Sequence, residues 1–489
     1  MMYVMRLQNM LFANGSVRQT IFKNTFWQFV GTFGNKLLSL FLIVYAARIL
    51  GAEGYGQFTF ALAFVSLFVV LSHLGLPNII TREFARQENK NEFYAILSLE
   101  IVLILATIIS IAVVSFLTVD SPEVRMLIFV LGGFLLLNSF IGTAYSYFHS
   151  QQRMEYEAGI ELVQMLLLVS LGLFVLSQFP SPVNLSYAYA ISAVIAFLVT
   201  IGVFSIKMFP VRLRWDVAVW KKYLSMSWPL ALSAVFAILY SYMDSVMLGY
   251  WNLFAETGWY NAAQRVMLAS LLPMGFVAAS FYPALSKFSS ESKERFQRAW
   301  NHEIEAMIVL ALPLAVGGIV LASRIVSFLY SAEFAAATFA LQILLMTAAV
   351  NFLYRPFYDA MIVLNHEREV FKVTILGAVL NIALNFFLIP HYSLYGAAAA
   401  TLVTYSLLLF MGMIFVKKFT YIQIPIGRIG LTTLAAVFSA YVMYIVLRYL
   451  LEGQLHVLVL ILVGAAVYGA IFFGLWKFVV TKYFKHVYA

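Results

Sequence analysis

A chain of 489 residues would ordinarily make about three soluble domains at ~150 residues each, but 63% of these residues are hydrophobic and only 11% are charged, against roughly 45–50% and 25% in soluble domains. That composition excludes a soluble enzyme, a disordered scaffold and a nucleic-acid binder, and it places the chain in a bilayer. The net charge of +9 then reads as basic residues gathered at a cytoplasmic rim beside anionic lipid, and the absence of cysteine removes disulfides, thiolate catalysis and Cys-ligated zinc.

Residues 1–23 form a short basic lead-in with no small-residue cleavage site, so no cleavable signal peptide is expected. A bilayer-crossing helix needs about 20 mostly apolar residues. Such runs recur fourteen times, over 24–48, 57–80, 93–118, 125–148, 158–179, 185–207, 227–250, 261–286, 304–329, 334–359, 370–390, 395–417, 428–449 and 455–479. They are continuous rather than alternating and too long for barrel strands, so the expected fold is an all-α polytopic membrane protein with 14 transmembrane helices. The connections are short, the longest being 207–226 and 287–303, and none holds a soluble domain. With the N-terminus in the cytoplasm, inner segments carry 24 of the 31 Lys and Arg residues, outer segments carry five, and Lys36 and Arg355 fall inside spans. This split predicts that both termini lie inside.

Two echoes point to a duplication. Ala52-Glu53-Gly54-Tyr55-Gly56-Gln57-Phe58, after the first span, is matched by Ala255-Glu256-Thr257-Gly258-Trp259-Tyr260-Asn261, after the seventh. The stretch ending in Arg153, after span four, is matched by the one ending in Arg368, after span ten. Spans 1–6 and 7–12 are therefore expected to be parallel six-helix repeats that rock about a central cavity. The expected domains are 1–206 (first bundle), 207–226 (cytoplasmic linker), 227–418 (second bundle) and 419–489 (helices 13 and 14). The Trp and basic residues of 209–222 predict a linker helix lying in the inner interface.

The pattern Arg48-Ile49-Leu50-Gly51-Ala52-Glu53-Gly54-Tyr55-Gly56-Gln57-Phe58, followed by Leu74-Gly75-Leu76-Pro77 and Thr81-Arg82-Glu83-Phe84-Ala85-Arg86, resembles the start of polysaccharide flippases of the O-antigen translocase type. These belong to the multidrug/oligosaccharidyl-lipid/polysaccharide exporter superfamily. Asp244-Ser245-Val246-Met247-Leu248-Gly249 and Gly258-Trp259-Tyr260-Asn261-Ala262-Ala263-Gln264-Arg265 are similar as well. The resemblance implies a prokaryotic inner-membrane transporter that turns an undecaprenyl-diphosphate-linked oligosaccharide to the outer leaflet for surface polysaccharide such as the O-antigen of lipopolysaccharide. It also implies contact with membrane lipid, with a polysaccharide polymerase and with a chain-length regulator, and no nucleic acid, cofactor, metal or catalytic residue.

A charge at the bilayer centre costs at least ~2.5–3.5 kcal/mol, so each one asks for a cavity or a partner. Lys36 lies 12 residues from either end of span one, on a polar stripe with Asn24, Gln28, Thr32 and Ser39 spaced as one helical face. That stripe is expected to line the cavity, with Lys36 meeting the diphosphate; the other reading is a lysine paired with a carboxylate for packing. Asp244, with Tyr240 one turn below, is placed to pair with Arg265, either as a lock or with Arg265 on the sugar or phosphate and Asp244 coupling an ion. Arg355 and Asp359, at i and i+4 around Pro356, either pair and snorkel or form a cytoplasmic gate. Glu157, Glu161 and Gln164 share a face that borders the inner entrance, and Glu161 is a gating candidate. Asn381 and Asn385 share a face of span eleven and reach either a neighbouring helix or the sugar. His73 reads as a satisfied buried histidine. The seven histidines show no metal-ligand spacing, and Pro77, Pro273, Pro313 and Pro356 mark candidate kinks.

Two other functions compete. Multidrug/cation exchange shares the architecture but would favour carboxylates in the cavity, where the deepest charge here is Lys36. A membrane glycosyltransferase or polymerase would present catalytic acids on a sizeable outer loop, and the outer loops here are short.

Overall fold

The computed structural model describes residues 15–453 and 455–483. Arg6, Lys485 and His486, counted above, lie outside the described residues, as does the lead-in before residue 15. Every regular element described is helical: α1 (Val17–His73), α2 (Leu76–Arg86), α3 (Lys90–Thr118), α4 (Pro122–Ser150), α5 (Met154–Gln178), α6 (Pro182–Lys207), α7 (Val217–Tyr250), α8 (Phe254–Ser270), α9 (Leu272–Glu291), α10 (Lys293–Leu329), a 3-10 turn (Ala332–Ala336), α11 (Ala337–Val363), α12 (Glu367–Phe419), α13 (Ile426–Leu451) and α14 (Val457–Tyr483). Among the described residues, 12 helical stretches are long and apolar enough to cross a membrane, α1 with α2 and α8 with α9 each counting as one.

Twelve stretches stand where the apolar runs number fourteen because two pairs of runs are continuous in the backbone. α1 is 57 residues long and breaks at Gly51, where φ is 69° and ψ is −179°, a conformation open essentially to glycine alone. α12 is 53 residues long and breaks at Ser393, with φ 52° and ψ −133°. The same backbone corrects two proline readings. Pro77 and Pro273 are not interior kinks; each sits at the second position of a new helix, α2 and α9, within the first turn, where its missing N–H leaves no bond unmade. Pro313 and Pro356 do lie inside helices.

Helix starts follow local chemistry. Ser121 and Ser181 cap α4 and α6 from the position before a proline, and Asp216 caps α7 by accepting from the Val219 amide. The linker helix expected over 209–222 forms only from Val217. Residues 209–216 have no regular structure and are held against α3 instead, by Arg214 N donating to the Tyr94 carbonyl (3.4 Å) and Ser98 Oγ to that of Arg214. Trp220 Nε1 donates to the Ala95 carbonyl (2.8 Å).

The chain forms two compact units, Met1–Gly258 and Trp259–Ala489. Unit 1 has one core around Leu42, Phe58, Phe64, Leu127 and Leu131. A second core gathers Phe84, Phe93, Tyr147, Phe204, Phe209 and Tyr223, with Phe93 and Phe204 stacked at 5.2 Å. Within the same unit, α1 meets the start of α8 with no clearance. A Cβ on Gly56 would lie 1.7 Å from the Phe254 carbonyl oxygen, and one on Gly258 would lie 2.1 Å from that of Ala52, so both positions require glycine. Unit 2 packs Phe296, Trp300, Leu321, Phe357 and Met443 together. Large apolar side chains such as Leu117, Leu198, Ile206 and Ile426 stay exposed, as befits surface that faces acyl chains rather than water.

Candidate functional site

The site is built where α1 lies against α5. Gly31 lets the helices approach, its Cα side facing Ala158 at 3.3 Å for an added Cβ. Close approach through small residues is how helices associate where no hydrophobic effect drives them together. Polar side chains then tie α5 to α1, through Lys23 and Asn35, and to α4, through His149 and Asn138. Lys23, fully buried, places Nζ 2.8 Å from Glu155 Oε2 and 3.1 Å from the Gln152 carbonyl. Asn35 Nδ2 donates to Glu161 Oε2 at 3.0 Å. His149 Nε2 pairs with Glu157 Oε2, and Gln164 Nε2 donates to Asn138 Oδ1 at 3.0 Å. The Glu157–Glu161–Gln164 face read from the sequence is thus engaged along its whole length.

On the same helix the stripe opens outward. Asn24 is buried, but Gln28, Thr32 and Lys36 are exposed, and Ser39 is half-buried. Among the described residues Lys36 has no ion-pair partner, so no carboxylate of those residues holds it for packing. An ammonium is a mobile point charge with three donors, and here it stands beside the amide and hydroxyl of Gln28 and Thr32 on one helical face.

The other expected residues are placed as follows. Asp244 is buried on α7 in unit 1, with Tyr240 half-buried one turn earlier. Arg265 is half-buried on α8 in unit 2. Arg355 Nε holds Asp359 Oδ2 at 2.8 Å, with Asp359 only 1% exposed. Asn381 and Asn385 are buried, and Asn385 Nδ2 donates to Asn381 Oδ1 at 3.1 Å, one turn along the same helix. His73 accepts the Gly75 amide at 3.2 Å where α1 ends. Of the tyrosines, Tyr147 and Tyr223 belong to the core of unit 1, donating to Glu88 (2.9 Å) and Glu92 (2.7 Å).

Sequence reasoning missed Lys23, Asn35 and Asn138. Lys23 was counted with the inner-rim charges, and the only signal for its burial is a carboxylate 132 residues away. Asn35 lies one residue off the stripe, and its partner Glu161 was the half that periodicity revealed.

The pattern of the family described as "Polysaccharide biosynthesis protein" matches residues 21–289, more than half of the chain. Two curated relatives from Haloferax volcanii are similar. "Probable low-salt glycan biosynthesis flippase Agl15" is 24% identical over 44% of this chain and 45% of its own length. "Probable flippase AglR" is 26% identical over 48% and 50%. The chain spans about half the length of these curated relatives. Among solved structures, "Lipid II flippase MurJ, inward closed conformation" superposes with a TM-score of 0.75 at 15% identity, over 93% of this chain and 98% of that one. An inward-facing "multidrug resistance MATE family transporter of the MOP superfamily" does so with 0.62 at 14%, over 85% and 97%. At such identities these two likenesses speak for the fold.

Proposed function

The chain belongs to the polysaccharide biosynthesis protein family, and on that premise we propose that it is a flippase carrying an undecaprenyl-diphosphate-linked oligosaccharide from the inner to the outer leaflet by alternating access. One observation carries the reading: Lys36 is an exposed cation with no counter-ion among the described residues, deep within the first apolar run of a membrane chain. Since such a charge is costly in hydrocarbon, it calls for an anionic ligand, and a lipid diphosphate is one that the bilayer itself supplies. Lys36, Gln28 and Thr32 take the headgroup, with Arg265 and Tyr240 on the sugar or phosphate. Asp244, Glu161 and the Arg355–Asp359 pair serve ion coupling or gating, and Asn381 and Asn385 hold α12. Both Haloferax relatives are named as probable flippases, one of them for glycan biosynthesis, which supports a glycan-bearing cargo. A surface polysaccharide of the O-antigen kind, a polymerase and a chain-length regulator remain the proposed setting, in a prokaryotic inner membrane.

Fourteen crossings with both termini inside follow from the same reading. At ~1.5 Å per residue, α1 is about 85 Å long and α12 about 80 Å, far beyond a hydrocarbon core of ~30 Å. A reversal at Gly51 and another at Ser393 turn each into two crossings and bring twelve to fourteen, with bundles over 1–206 and 227–418, the linker 207–226 and helices 13 and 14 in 419–489.

The test is a deletion strain. It should accumulate lipid-linked glycan inside and lack surface glycan, and wild-type protein should restore export where Lys36→Ala at equal membrane level does not. Normal surface glycan in Lys36→Ala would sink the headgroup assignment. Drug hypersensitivity with normal glycan in the deletion strain would favour the multidrug/cation exchanger.

A further inference from the structure

Unit 2 contains a buried acidic pair that the sequence did not disclose. Glu303 on α10 is 0% exposed and Asp359 on α11 is 1% exposed. The two helices are locked together beside them by Trp300, whose Nε1 donates to the Pro356 carbonyl at 3.0 Å and whose ring meets that of Phe357 edge-on at 5.5 Å. Glu303 faces Asp359 within hydrogen-bonding reach. Arg355 satisfies Asp359 Oδ2. Neither oxygen of Glu303 receives an N–H or O–H among the described residues, and neither does Asp359 Oδ1.

Three buried carboxyl oxygens without a donor, on two adjoining acids, are not a stable arrangement for two anions. An unsatisfied buried acceptor is costly, the more so when charged, and two carboxylates sharing one cation leave an uncompensated charge in a dry interior. A single hydrogen between the acids removes both defects, because the protonated carboxyl becomes a donor to its neighbour, as in carboxyl dyads that share one proton. We propose that Glu303 and Asp359 form a proton-binding site holding one exchangeable proton, with Arg355 balancing the remaining negative charge. The proton comes from and returns to water; the cluster passes from neutral to singly negative when it leaves. The other ionisable groups around it are Tyr354 and Tyr358 on α11 and Tyr405 on α12, while Arg428 on α13 is committed to Glu305, with His302 beside it. The shared proton follows from packing inside unit 2 and does not depend on which lipid the chain carries.

Infrared spectra of the full-length protein in lipid nanodiscs, titrated with alkali, test this. The wild type should show a protonated-carboxyl C=O band at neutral pH that disappears in alkali, and Glu303→Gln and Asp359→Asn should each lose one group's worth of it, while Glu100→Gln, a control at another buried acid, leaves the pair's share intact. Absence of any such band in the wild type overturns the proposal without recourse to a variant. Equal band area in wild type and Glu303→Gln overturns it too. So does removal of the band by sodium ions at constant pH, which marks a cation site instead.

Discussion

One face of α1 in unit 1 and the buried polar groups of unit 2 treat polar side chains in opposite ways. In unit 1, Gln28, Thr32 and Lys36 lie exposed along one face of α1, and the ammonium has no partner among the described residues. In unit 2, Asn381, Asn385, Glu303 and Asp359 are all at most 1% exposed, each set against another polar group of the same unit. The contrast separates two uses of polarity where water is scarce. A group sealed among its neighbours holds helices in register, and a group left open is available to a ligand.

Substitutions that exchange these environments sharpen the contrast. The largest effect is expected at Lys36. Lys36→Ala should abolish surface glycan, and Lys36→Arg, which keeps the charge, should retain part of it; both should insert and melt like the wild type, since no ion pair among the described residues is lost. Asp359→Ala should weaken export and, unlike Lys36→Ala, also lower stability. It removes the carboxylate that holds the half-buried Arg355, at a cost of about 1–3 kcal/mol, read as a lowered unfolding midpoint in detergent. A midpoint unchanged from wild type would mean that the pair is wet. Asn385→Ala should cost about 1–3 kcal/mol by leaving Asn381 without its donor, with export per folded molecule unchanged. A selective loss of export at normal stability would return Asn385 to the sugar. Gln28→Ala should have the smallest effect on stability, within about 0.5 kcal/mol, and should show only as weaker export.

The helices were legible because an apolar run of about 20 residues admits few other structures in a bilayer. Their breaks were legible only in part. Gly51 falls inside a glycine-rich stretch that reads as a connection, whereas Ser393 carries no residue-type signal for the left-handed backbone it adopts. Pro77 and Pro273 were seen as interruptions, but whether a proline bends one helix or opens the next depends on the residue before it, here Gly75–Leu76 and Leu271–Leu272. The candidate site was half legible for a similar reason. Helical spacing reveals a stripe such as Gln28–Thr32–Lys36, and it cannot reveal that Glu161 meets Asn35 or that Glu303 meets Asp359, since those pairings join different helices.

Lys23 has a bearing on how the protein is made. Its ammonium ends with no contact with solvent, bound to a carboxylate 132 residues further on. At ~5–20 residues per second, Glu155 leaves the ribosome roughly 7 to 26 seconds after Lys23. Until then that carboxylate cannot hold the head of the first helix, so the buried seating of its ammonium is a late event of biogenesis, completed by the arrival of the fifth helix.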